Sequence, residues 1–157
     1  MPSPARLLLP LWVLAAGCAQ VDSPIPEVVL PDDYRTQFVE ARSCRSTLEH
    51  ASEVGAGAES AVVIKVRPEV KDLFEAGGPF PEGTLIVKEQ YRDLQCTALA
   101  SSTAMRKQAA GYDPAGGDWS WFRLDDRSHV LLSGKIASCI ACHTSCGKSR
   151  DRTCVDP

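Results

Sequence analysis

Apolar positions along this 157-residue chain change their period several times. From Leu7 to Leu14 they run almost unbroken, a stretch far shorter than the roughly 20 residues a bilayer-spanning helix needs. "AQVDSPIPEVVLP" then carries three prolines and no periodicity, which suits an extended tether. Tyr34, Phe38, Ala41 and Cys44 recur close to helical spacing, predicting an amphipathic helix from Asp33 to about His50, capped by Asp32. "SAVVIKVRP" is rich in β-branched residues and predicts a strand over Ala61–Val66, after which Pro68 opens a short helix that stops at a glycine pair. A turn at Pro81–Gly83 leads into a strand over Thr84–Tyr91, and "CTALASST" and "DWSWFRLDD" supply a third and a fourth across the loop "AAGYDPAGGD". "VLLSGKIASCIACH" closes the series as a strand followed by a short helix. The order predicts an α+β domain over 32–157, mainly an antiparallel sheet with flanking helices.

The chain is long enough for one domain with one core, and its mixed charges, net −3, offer no basic stripe for a phosphate backbone, so nucleic acid is excluded as a partner. Arg6 before the apolar run and "LAAGC" after it predict a signal peptide over 1–17. That ending resembles the lipobox of bacterial lipoproteins, in which the cysteine becomes the lipidated first residue; the alternative is ordinary cleavage with Cys18 merely nearby. On the first reading Cys18 anchors the chain to a membrane, 18–31 is its tether, and Ala19 and Gln20 resemble the pattern sent to the periplasmic side of the outer membrane. Exported thiols are normally oxidised or occupied, so the other six cysteines need partners.

Cys139, Cys142 and His143 spell C-x-x-C-H, the attachment sequence for c-type haem. On a short helix two thiols three positions apart share one face and can each bond a haem vinyl group, while the adjacent imidazole reaches the iron. Two other readings compete. Cys139, Cys142, Cys146 and Cys154 could hold zinc or a cluster, but intervals of two, three and seven residues fit neither pattern; a redox dithiol would want a thioredoxin-like βαβ context. With haem on Cys139 and Cys142, Cys44, Cys96, Cys146 and Cys154 remain, and can pair in three ways. One of these joins Cys146 to Cys154 behind the haem and Cys44 to Cys96 across the domain.

"YRTQF", "VVIKVRPE", "FPEGTLIVKE", "YDPAGGDWSWFR" and "CIACH", in this order, resemble the cytochrome P-460 family and its relative cytochrome c′-beta over roughly Tyr34 to Cys142. The resemblance implies a β domain with one covalent haem c, His143 as axial ligand, and the far side of the iron left for a small ligand. It makes Lys88 the candidate for a further bond to the porphyrin, the feature that goes with hydroxylamine oxidation; Lys88 shares its strand face with Thr84 and Ile86, and the competing readings are an edge lysine whose ammonium reaches water and one that only lies beside the haem. Two departures weaken turnover. Val62 stands where the family enzymes place a distal arginine, and no carboxylate lies between Arg127 and Ser138, with Asp125 and Asp126 further back. In the c′-beta relatives an aromatic side chain caps a nitric oxide site instead, and Phe80 is the candidate by position. A third reading, electron transfer, needs a sixth ligand from Met105, His129 or His50. The implied partners are a small nitrogen compound, a redox partner protein and a second copy of the chain, since relatives dimerise.

Overall fold

Val62, Val63, Ile64 and Val66 are β-branched and almost entirely shielded from water, a run that suits a strand covered on both faces. They lie at the heart of a six-stranded sheet in the computed structural model, which describes residues 30–31, 33–47 and 60–154. The signal peptide, Cys18, nearly all of the tether, Asp32 and His50 fall outside the described residues. The elements are α1 (Tyr34–Gln37), β1 (Val39–Thr47), β2 (Ser60–Val66), a 3-10 turn (Pro68–Val70) running into α2 (Lys71–Ala76), β3 (Leu85–Tyr91), β4 (Leu99–Lys107), β5 (Trp119–Leu124), β6 (Val130–Gly134) and α3 (Ala137–Thr144). Every strand pairs antiparallel with its neighbour in sequence, so the sheet is a plain meander with β1 and β6 at its edges.

The long first helix expected from Asp33 to about His50 is not present among the described residues. Only Tyr34–Gln37 is helical, and Val39–Thr47 is a strand. The apparent helical spacing has another origin. The pairing of β1 with β2 slips between Glu40 and Arg42 and again between Arg42 and Arg45. Each irregularity inserts an extra residue, so shielded positions no longer recur at every second residue and mimic a period of three to four. Val39, Ser43, Ser46 and Thr47 are also poor helix formers. With that change the described chain is mostly β, with only short helices.

The sheet has two differently covered faces. On one, Val87, Ala104, Phe122 and Leu124 pack under Leu30, Tyr34 and Phe38 of the N-terminal segment. On the other, register aligns Val66, Ile86, Met105 and Trp121 in one transverse row and Ile64, Lys88, Thr103 and Arg123 in the next. The first row joins a core with Phe74 of α2 and Ile136, against which Cys139 and Ile140 of α3 pack.

Candidate haem site

α3 begins directly after β6, where Ile136 is extended and serves as its N-cap without a side-chain hydrogen bond. Burial of Ile136 against the core therefore holds the helix start, with Ile140 and Cys139 on the same side. The remaining motif residues follow one turn later: Cys142 is exposed and His143 half-buried. The His143 ring lies 4.4 Å from that of Trp121 on β5, inclined at 52°. Its Nδ1 is 2.7 Å from the main-chain oxygen of Arg152. A carbonyl can only accept, so Nδ1 carries the proton and Nε2 keeps the lone pair that could bind a metal.

A cavity of about 360 Å³ lies between α3 and part of the sheet. Its inner wall is apolar: Ile64, Phe74, Ile86, Met105 and Trp121. Arg45, Lys88 and Arg123 also line it, whereas its lining contains no aspartate or glutamate among the described residues. Cys139, Cys142 and His143 face it from the helix side. These groups fit a haem. A flat apolar macrocycle with two carboxylates matches an apolar wall and cationic side chains, and thiols with a neutral imidazole are the donors a c-type haem uses. The indole N–H of Trp121 is buried and without a hydrogen-bond partner among the described residues.

Disulfides join Cys44 to Cys96, tying β1 to the β3–β4 loop, and Cys146 to Cys154, behind α3. The sulfur atoms of Cys146 and Cys154 and a ring nitrogen of His143 lie within 4.8 Å of one another. Lys88 and Met105 line the cavity, while Phe80 does not: it packs edge-on against Trp119, at 5.6 Å, in the core. The aromatic side chain lining the cavity from outside the sheet is Phe74. His129 sits in the exposed β5–β6 turn, where Nδ1 is 3.0 Å from an Asp125 oxygen, and neither residue lines the cavity. Val62 is buried and also outside the lining, but the residue opposite it on β1 is Arg45. A cation therefore reaches the cavity from one strand over.

Trp121, Arg123, Arg45, Phe74 and Arg152 were not expected from the sequence. The first two carried a usable signal, because alternation in "WSWFR" sets Trp119, Trp121 and Arg123 on one face. Arg45 and Arg152 carried none, since their places depend on irregular pairing and on a loop. No curated protein matches the chain. A family model described as Cytochrome P460 matches residues 31–154, which takes in every strand, both longer helices and the C-x-x-C-H motif. The chain belongs to the cytochrome P460 family, and so to a family of haem-binding proteins.

Proposed function

We propose that this protein is a mono-haem c cytochrome that binds, and with Lys88 bonded to the porphyrin oxidises, a small nitrogen compound such as hydroxylamine or nitric oxide. One observation carries the reading: Cys139, Cys142 and His143 on α3 face Lys88 on β3 across one apolar cavity. The haem, when bound, supplies the redox chemistry and a coordination position for the small ligand. The chain does the rest. Cys139 and Cys142 would hold the ring covalently, and His143 would offer Nε2 to the iron because Arg152 O occupies its Nδ1 proton. Ile64, Phe74 and Ile86 exclude water from the ring, and Arg45 and Arg123 offer charge to its carboxylates. A lipid anchor at Cys18 would tether the domain outside the cytoplasm, where a redox partner takes up or delivers electrons.

A second reading, ligand binding without turnover, is favoured by the carboxylate-free lining. Hydroxylamine oxidation must release protons with its electrons, and a base within reach speeds that step. Intact mass and the ferrous spectrum of the chain, matured with haem and lacking its anchor, test both. After the disulfides are reduced, a mass about two hydrogens below that of haem joined only through two thioethers, with a Soret band far to the red that Lys88→Arg restores to an ordinary position, supports oxidation. An ordinary mass and a conventional high-spin spectrum, insensitive to Met105→Leu, supports ligand binding alone. A wild-type chain that acquires no covalent haem in a host competent for c-type maturation refutes both readings.

A further inference from the structure

Behind His143 the chain turns a corner at Arg150–Arg152 that is held far more firmly than closing a disulfide loop requires. Asp151 and Arg152 both adopt left-handed backbone, with φ of 45° and 67°, which non-glycine residues avoid unless their surroundings impose it. Two distant loops bring glycines against them. A Cβ on Gly78 would lie 3.0 Å from the Asp151 Cβ, and one on Gly117 would lie 2.9 Å from the Arg152 Cγ. The Asp151 carboxylate accepts from Lys107 Nζ at 2.6 and 2.7 Å and from the Phe80 N–H at 2.9 Å. Its main-chain oxygen accepts from Trp119 Nε1 at 2.8 Å. The Arg152 side chain is buried, and its guanidinium donates to Thr144 O at 2.9 Å and Ala115 O at 2.8 Å. Thr144 follows His143 in α3, so one guanidinium ties the end of the helix to the β4–β5 loop. The carbonyl this arrangement fixes is the one that meets His143 Nδ1.

We propose that Arg152 is a positioning residue for the iron, acting through His143: its clamped side chain holds its own carbonyl on the Nδ1 proton. The proposal rests on the haem reading above. A strong Nδ1–H···O bond makes the imidazole a more basic ligand and sets its ring orientation. The iron–histidine bond is thereby strengthened and the ferric state favoured.

The test uses the haem-loaded protein. Resonance Raman of the ferrous form reads the iron–histidine stretch, and redox titration reads the midpoint potential. Arg152→Ala is expected to lower the stretching frequency and raise the potential, with Arg152→Lys, which can serve only one of the two carbonyls, falling between it and wild type. Gly117→Ala, which presses on the Arg152 side chain, is the second variant should Arg152→Ala not accumulate, with the same direction expected. The double variant Cys44→Ser/Cys96→Ser, destabilised at a distance, should leave the frequency where it is. A folded, covalently loaded Arg152→Ala or Gly117→Ala protein with wild-type frequency and potential overturns this proposal alone. Wild-type chain without covalent haem overturns the haem reading and this one with it.

Discussion

Glu89 lies on β3 next to Lys88 but on the opposite face of the sheet, with no exposure to water. Its Oε1 accepts from Tyr34 Oη at 2.7 Å and from Arg35 Nε at 2.8 Å, and its Oε2 accepts from Tyr91 Oη at 2.9 Å, with Lys65 Nζ at 3.9 Å. Glu89→Ala leaves these donors without their acceptor. The Arg35 side chain is 43% exposed and can turn to water, so its loss is worth under about 1 kcal/mol. The buried Tyr34 hydroxyl cannot do so, and a stranded buried donor costs about 1–3 kcal/mol, while the half-buried Tyr91 hydroxyl loses about 1 kcal/mol. Together with the small void, Glu89→Ala should cost roughly 3–5 kcal/mol, a fall in Tm on the order of 10–15 °C. Glu89→Gln is a finer probe. Its carbonyl can keep Tyr34 and Arg35, and its amide can donate to the Tyr91 oxygen, so about 1 kcal/mol is expected. Urea unfolding followed by circular dichroism measures both. If Glu89→Ala lies within about 1 kcal/mol of wild type, the cluster does not hold the N-terminal segment on the sheet and the argument fails.

Removing the Cys44–Cys96 bridge by Cys44→Ser/Cys96→Ser releases a loop between residues 52 apart and should lower stability by about 4 kcal/mol on the chain-entropy model, measurable as an earlier urea midpoint at unchanged haem content. Alkaline titration should show a matching weakness on the opposite side of neutrality from acid unfolding. Burial first, then the hydrogen bond to Glu89, pushes Tyr34 from 10.0 up to about 12, and Tyr91 moves the same way. Between about pH 10 and 12 the unfolded chain has released the Tyr34 proton and the folded chain has not, so stability is fully present below that window and falls as pH rises through it. Tyr34→Phe should flatten the fall in a pH series of urea midpoints; an unchanged slope would argue against the assignment.

The strands after residue 60 were legible because β-branched runs ended at proline, glycine or aspartate, as in "SAVVIKVRP" and "FPEGTLIVKEQY". β1 was not, because its irregular pairing imitates helical periodicity. Strand alternation beside Ile86 left Lys88 open between an edge lysine reaching water and one turned inward, and the fold sets it in the cavity lining. Phe80 was misplaced because its position along the chain says nothing of the path there: Asp151 takes its N–H and Trp119 its ring, so the core receives it while Phe74 turns to the cavity. The Arg152 carbonyl was beyond reach altogether, since a main-chain oxygen has no sequence signature and becomes distinctive only when a corner far along the chain folds onto it.

The meander also sets the sheet apart from the site in the range of contacts each needs. Strands that pair only with their sequence neighbours keep contacts local in sequence, the kind of topology that goes with faster folding. The cavity depends on contacts of longer range: its lining runs from Arg45 on β1 to Cys154. The sheet therefore needs only neighbouring strands, whereas the cavity needs α3 and the 146–154 loop brought back onto them. A local scaffold thus carries a site whose parts come from almost the whole described chain, so a change near residue 150 can alter the site while the sheet stays intact.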